Sequence, residues 1–417
     1  MKLNLQPVRG TKDVYGKDGE FFNYIIATAR RISQNYNFQE IITPIFEFSE
    51  VFHRSIGEAT DIISKETYTF IDRDKDSLTL RPEFTAGVIR AFISNGLTQS
   101  IPLKFFSAGP TFRHERPQKG RYRQFNQLNC EFIGAKEPLS DVEVIVLATD
   151  ILKSLKLDKS ATLELNTVGD VESRKIYRER LVTYLSKYKD ELSETSKERL
   201  IKNPLRILDS KDAGDRKILT DAPLITASLT DAAKAFFDGV LKGLAEMKVS
   251  YKINPKLFRG LDYYTHTVFE FTTDQLGSQG TILAGGRYDG LVSHMGGPQV
   301  PAVGFASGVE RLMELMKENK FELPASKLIS MIPIGAKAEA KAMTLAHILR
   351  SQDLNIEYNF TADLGKRMKH ANKIGAQAVI IFGDDELKQH KFKVKNMTSG
   401  EEVFCNEAEI VAVLHGI

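Results

Sequence analysis

The segment Gly109–Gly134, GPTFRHERPQKGRYRQFNQLNCEFIG, brings together the residue types best suited to chemistry. Between positions 113 and 123 it carries five basic residues against one acidic, a charge balance that suits phosphate groups. The run leaving this loop reads as a strand. The two-residue strand period puts Gln127, Asn129 and Glu131 on one face and Leu128, Cys130 and Phe132 on the other. Such a polar row fits either a solvated sheet face or the floor of a binding site, and the adjoining basic loop favours the floor. Four further segments stand out. LRPEFTAG (80–87) places Glu83 and Thr85 on one face of an expected strand, and RGLDYYTHTVFEF (259–271) sets Arg259 before a glycine turn, with Tyr263 and Tyr264 opening a strand. AGGRYDGL (284–291) reads as a glycine turn where backbone approaches a ligand closely. PAVGFASGVERL (301–312) runs from a strand through glycines into a helix carrying Arg311. Singly, each has an ordinary explanation: a packed tyrosine, a turn glycine, a solvated arginine. Their weight lies in occurring together.

The elements that must position these residues follow from periodicity. Residues 18 to 36 repeat Phe21, Phe22, Ile25, Ile26, Ala29 and Ile32 at helical spacing. Pro44 interrupts an apolar stretch, and segments 103 to 113 and 123 to 133 read as a long hairpin. Residues 170 to 225 are charged, helical in pattern and poor in aromatics, which marks an inserted subdomain. Strands resume over 258 to 309, a helix follows from about 306 to 318, and 319 to 327 reads as a linker. Beyond it, strands at 328–334, 355–360 and 377–382 alternate with helical patterns at 336–351, 363–374 and 406–415, the signature of a small α/β domain. The expected division is therefore 1–325, with its insertion, and 326–417.

At 417 residues, two or three domains are expected. With 42% hydrophobic and 27% charged residues the chain reads as an ordinary globular protein, and no apolar run suits a membrane helix. MKLNLQPVRG has no apolar signal region, so a cytoplasmic location is expected. Cys130 and Cys405 lie far apart without CxxC spacing, which argues against a disulfide framework or a zinc site. A net charge of +3 is too small to announce a nucleic-acid binder.

Taken together, the segments resemble the histidyl-tRNA synthetases, class II aminoacyl-tRNA synthetases, in the correct order over essentially the whole chain. The helix at 18 to 36 with the strand near Pro44 looks like class II motif 1, FRHERPQKGRYRQF like motif 2 and GFASGVERL like motif 3; RGLDYYTHTVFE and AGGRYDGL look like the two family-specific signatures. The resemblance implies an α+β fold: a catalytic domain with an antiparallel sheet and flanking helices, and a C-terminal α/β anticodon-binding domain. It implies a homodimer that activates L-histidine with ATP and loads it onto tRNA(His). Carried over by position, Arg113 and Arg259 would grip the ATP α-phosphate as the catalytic pair, Glu115 and Phe125 would hold adenine, and Arg121 and Arg311 the β- and γ-phosphates. Glu131 and Tyr264 would read the imidazole, Glu83, Thr85 and Gln127 the amino and carboxylate ends, with Tyr263 nearby, and Arg116 and Gln118 the tRNA acceptor end. Mg2+ is expected with ATP through phosphates and water, and no metal-ligating residue is named.

Neutral imidazole has one donor and one acceptor nitrogen, so a site reading both needs an acceptor and a donor; Glu131 and the Tyr264 hydroxyl supply them. Three positions depart from the commonest family pattern: Phe84 where glycine is usual, His114 where tyrosine is frequent and Asn126 where histidine is frequent. Phe84 must be accommodated beside the site. A regulatory paralogue without catalysis would typically lack the C-terminal domain and the motif arginines, both of which this chain keeps. In the C-terminal domain, Lys388, Lys391, Lys393 and Lys395 are candidates for RNA phosphates, three of them alternating on one expected strand face.

Overall fold

A computed structural model of the chain describes residues 5–57, 60, 62–116, 120–258, 263–277, 280–324, 327–360 and 363–417. The chain forms two compact units, Met1–Glu322 and Leu323–Ile417, with the break inside the expected linker.

The strands of the first unit are β1 (Gln39–Glu40), β2 (Phe46–Phe48), β3 (Tyr68–Ile71), β4 (Ser77–Leu80), β5 (Leu103–Phe112), β6 (Gln124–Ile133), β7 (Thr162–Thr167), β8 (Lys252–Ile253), β9 (Thr265–Thr272), β10 (Thr281–Arg287) and β11 (Ala302–Gly308). Eight of them form one sheet in the order β1-β5-β6-β11-β10-β9-β7-β8. The pairings are antiparallel except for β1 with β5 and β7 with β8 at its two edges. Strands β5 and β6 make the expected hairpin, in continuous register from Leu103↔Ile133 to Phe112↔Gln124. The helix Lys17–Asn35 lays Phe21, Ile25, Ala29 and Ile32 into the core at helical spacing. It is tied to the helix Val309–Glu318 by Asp18, which receives Lys317 Nζ at 2.6 Å.

Two local expectations are corrected. The 80–87 segment is not a strand: β4 stops at Leu80, and a helix runs from Thr85 to Ser94. Pro82 cannot donate to a ladder. Arg81 also turns its guanidinium inward, donating to the Thr43 and Pro110 carbonyls. Phe84 is accommodated beneath that guanidinium, 4.1 Å from the ring centroid, and is fully buried. Of the 284–291 glycines, only Gly290 stands in a turn; Gly285 and Gly286 lie mid-sheet in β10, opposite Phe305 and Gly304.

The 170–225 segment is helical, with helices Val171–Leu185, Glu194–Lys202 and Ala213–Ile218. Tyr177, Leu181, Leu185, Ile207, Ile218 and Ile225 are buried together with Val168 and Val268. Asp215 pins its turns by accepting from the hydroxyls of Ser193, Ser196 and Ser210.

The second unit contains β12 (Leu328–Ile334), β13 (Asn355–Tyr358), β14 (Ala378–Gly383), β15 (Phe392–Asn396) and β16 (Glu402–Cys405), in the order β13-β12-β14-β15-β16. The first three are parallel and the last two antiparallel. Helices Ala336–Arg350, Leu364–Lys373 and Ile410–His415 accompany them. The expected strand 355–360 stops at Tyr358, and β16 is an addition to the expected set.

Candidate active site

The centre of the large sheet is polar on one face. Gln127, Asn129 and Glu131 project from β6 as the strand period requires, yet they are 7%, 1% and 1% exposed, so the row is covered rather than solvated. Gln127 and Glu131 floor a cavity of about 260 Å³. Glycine makes the space. Gly304 faces Glu131 across the β6–β11 ladder, and a Cβ there would stand 1.7 Å from Glu131 Oε2. A Cβ on Gly286 would stand 2.8 Å from Tyr264 Cδ1. These glycines are therefore required for close approach within a strand, a role distinct from turn formation.

At the inner end, Glu131 is held by three donors: Thr85 Oγ1 at 2.5 Å and Asn129 Nδ2 at 3.0 Å on Oε1, and the Tyr288 hydroxyl on Oε2. Burial pushes its carboxyl up to about 7 against the opposing pull of Thr85, Tyr288 and Asn129. Glu83 receives the Tyr263 hydroxyl at 3.3 Å. Its carboxyl is also raised, by burial, with Arg113 opposing. Glu83 Oε1 and Gln127 Oε1 are buried acceptors without a hydrogen-bond partner among the described residues. Such groups are costly unless a ligand completes them.

The outer end is cationic. Arg113 donates to the Pro82 carbonyl at 2.9 Å and lies over the Phe125 ring at 5.5 Å. Arg121 pairs with Glu115 at 2.7 Å. Burial and then the nearby Arg121 charge lower the pKa of Arg311, a like-charge crowding that an anion would relieve. Glu310 accepts from the backbone and side-chain nitrogens of Asn126, joining motif 2 to motif 3.

The structure thus gathers Glu83, Thr85, Arg113, Glu115, Arg121, Phe125, Gln127, Glu131, Tyr263, Tyr264 and Arg311 around one cavity. Arg116 is exposed and does not line it. Arg259 and Gln118 lie outside the described residues. Thr85 is engaged with Glu131, at the end expected to receive the imidazole. Sequence reasoning left Asn129, Tyr288 and Glu310 unassigned, although Asn129 lay on the polar row and Tyr288 in AGGRYDGL. It also passed over Arg287, which is fully buried and spends its donors on Asp141, Ser140, Asp289 and the Ala135 carbonyl. Arg287 anchors the residue next to Tyr288, and its distant partner Asp141 carries no motif signal.

Arg113, Arg121 and Tyr264 also line a second cavity of about 820 Å³. Its other walls include Arg174, Arg178, Arg199, Arg206 and Lys211 of the inserted segment.

The family model described as histidyl-tRNA synthetase matches residues 10–312, and the one described as anticodon binding domain matches 329–416. The chain is 52% identical over 398 residues to the histidine–tRNA ligase of Rhodospirillum rubrum, covering 95% of each. It is 51% identical over 398 residues to that of Wolbachia pipientis subsp. Culex pipiens, covering 95% of this chain and 96% of that one. It superposes on the apo S. aureus histidyl-tRNA synthetase with a TM-score of 0.83 at 35% identity, over 99% of this chain and all of that one. By sequence and structure, the chain belongs to the histidyl-tRNA synthetase family.

Proposed function

We propose that this cavity is where histidine and ATP are joined, with the residue roles given below. As a member of its family the chain is an ATP-dependent histidine–tRNA ligase. One observation supports the placement best: partnerless buried acceptors, Glu83 Oε1 and Gln127 Oε1, lie in the same cavity as the crowded guanidiniums of Arg121 and Arg311. Histidine has an ammonium to meet the first, and the triphosphate of ATP has anionic oxygens to meet the second.

Glu83 and Gln127 take the α-ammonium, with Tyr263 fixing Glu83. Glu131 accepts from an imidazole N–H, oriented by Thr85, Asn129 and Tyr288, and the Tyr264 hydroxyl meets the other ring nitrogen. A side chain without both ring functions forfeits its hydrogen bonds to Glu131 and to the Tyr264 hydroxyl, and a site built for such bonds can reject the analogue lacking them by about 10⁴- to 10⁵-fold. Phe125 stacks adenine and Glu115 reads its edge. Arg113, with Arg259, stabilises the charge that gathers on the α-phosphoryl oxygens as a histidine carboxylate oxygen attacks and pyrophosphate leaves. Arg121 and Arg311 hold the departing end. Glu115 and Glu310 are committed to Arg121 and Asn126, so the residues present do not fit a dedicated magnesium cage. A magnesium ion would accompany ATP through phosphate oxygens and water.

The tRNA(His) 3′-terminal adenosine then attacks the adenylate carbonyl and AMP leaves, with Arg116 and Gln118 at the acceptor end. The arginine-lined second cavity supports placing the inserted segment against that arm. The homodimer belongs to the same proposal. Its support is a cluster of exposed apolar side chains on and beside the sheet β2-β4-β3, with Ile42, Ile45, Phe46, Phe48 and Ile71 between 43% and 88% exposed. So does the cytoplasm, where both reduced cysteines would persist.

Pyrophosphate exchange with each of the twenty amino acids tests the assignment. Exchange with histidine alone is expected; exchange driven equally by another amino acid would remove the imidazole-reading roles of Glu131 and Tyr264.

A further inference from the structure

The inserted segment begins just after β7, and its first residues grip the backbone that carries the two tyrosines of the cavity. His266, in β9, has a φ of 47°, a left-handed conformation that residues other than glycine seldom adopt. Two backbone bonds hold it there: the His266 N–H donates to the Gly169 carbonyl at 2.8 Å, and the Val168 N–H donates to the His266 carbonyl at 2.7 Å. Two residues back, the Tyr264 carbonyl accepts from Arg174 Nη1 at 2.5 Å. The main chain from Tyr264 to His266 is therefore held at three points by residues 168 to 174.

Arg174 is itself fixed. It lies one turn beyond the start of the helix Val171–Leu185, whose N-cap Asp170 accepts from the Ser173 N–H at 2.7 Å. Asp170 Oδ2 also accepts the Thr230 hydroxyl at 2.6 Å, and the Thr230 N–H donates to Ser173 Oγ at 2.9 Å. The chain leaving the insertion thus closes on the chain entering it, and the guanidinium is presented from a braced helix end.

Tyr264 depends on such a hold. Its ring lies over Gly286, which has no side chain to steer it, and against Tyr263, with centroids 4.7 Å apart. The hydroxyl stands at the far end of a rigid ring, so a shift of the main chain is carried to the atom that meets the imidazole. A guanidinium bond to the carbonyl is charge-assisted and roughly twice as strong as a neutral one. We propose that Arg174 is a positioning residue for histidine recognition: reaching out of the inserted segment, it holds the Tyr264 carbonyl and so sets where the Tyr264 hydroxyl stands. The proposal rests on the imidazole-reading role of Tyr264 given above. It makes the inserted segment part of the amino-acid site.

The test is pyrophosphate exchange by the full-length chain, with histidine and ATP varied separately. Arg174→Met keeps most of the side-chain length and removes the donors. It should raise KM for histidine about 10- to 100-fold, the upper end being what a misplacement of about 1 Å can cost. KM for ATP should change less than about twofold, because only a contact to histidine is lost. Arg174→Lys, which keeps a charged donor, should recover most of the loss. A double-mutant cycle with Tyr264→Phe, which deletes only the hydroxyl, isolates the path. If Arg174 acts through that hydroxyl, Arg174→Met should cost little further in the Tyr264→Phe background. Arg174→Gln, shorter and uncharged, carries the same cycle if Arg174→Met does not fold. Losses that multiply across the cycle, a parallel rise of KM for ATP and histidine, or a native histidine KM in the Arg174 variants would each overturn the proposal. A native histidine KM in Tyr264→Phe would instead remove the imidazole-reading role of Tyr264 itself, and the proposal with it.

Discussion

The two units hold their polar chemistry in opposite places. In the first, Glu83, Gln127 and Glu131 lie beneath the large sheet at 5%, 7% and 1% exposure, beside the wholly buried pair Arg287–Asp141. In the second, Phe360 and the lysines of the Leu364–Lys373 helix stand in solvent. Desolvating a charged or polar group costs several kcal/mol unless its partners are already in place, so the cavity must be assembled during folding, each carboxylate with its donors. The exposed lysines have no such requirement, because water satisfies them. Buried polar groups are therefore committed to one arrangement, while exposed ones are separately dispensable.

Substitutions test that contrast, and the largest effect is expected in the interior. Arg287→Met strands Asp141 without its ion-pair partner and should cost about 3–5 kcal/mol of unfolding free energy, the usual penalty for breaking a buried pair, measured by urea denaturation. A loss below about 1 kcal/mol would mean that water reaches Asp141, and the interior would then resemble the surface.

Glu131 gives an effect of about 3 kcal/mol with a definite sign. Its carboxyl is raised by burial from the ordinary 4.5 to about 7 in the folded chain. Between those values the native state keeps a proton that the unfolded state releases. Stability is fully present below pH 4.5, falls as pH rises toward about 7, and is flat beyond. In the ligand-free protein, Glu131→Gln should flatten this dependence by about 3 kcal/mol between pH 5 and pH 8. An unchanged pH profile would show that the carboxylate is solvated or better paired than its burial implies.

The smallest effect is expected at Lys395, whose pairing with Glu402 is exposed. Lys395→Gln should leave the denaturation midpoint almost unmoved, as exposed pairs usually do. A clear fall in the midpoint would mean that the β15–β16 edge needs its ion pairs to hold together.

Much of the site was legible because strand and helix periods are local. The alternation that put Gln127, Asn129 and Glu131 on one face survives in β6, and the Phe21-to-Ile32 spacing gives a helix with that face buried. The 80–87 segment was misread because Glu83 and Thr85 alternate like strand residues. What ended the strand was Pro82 together with the distant carbonyls that draw in Arg81. The glycines of 284–291 were read as a turn for a similar reason. A sequence shows that glycine is present, whereas the Gly304 carbonyl that crowds Gly285 and the Tyr264 ring that crowds Gly286 arrive from other segments.

By itself the sequence determined the order of the elements, the basic hairpin loop and the set of side chains able to meet phosphate and imidazole, since these depend on residue type and short spacing. The tertiary structure alone decided that Tyr288 and Thr85 converge on the Glu131 carboxylate, that Arg287 anchors on Asp141, and that Lys393 and Lys395 face Glu402. Each of these contacts is set by ladder register or by packing between segments far apart in the chain. Register has a period of only two residues, so many pairings are locally equivalent until the buried core selects one.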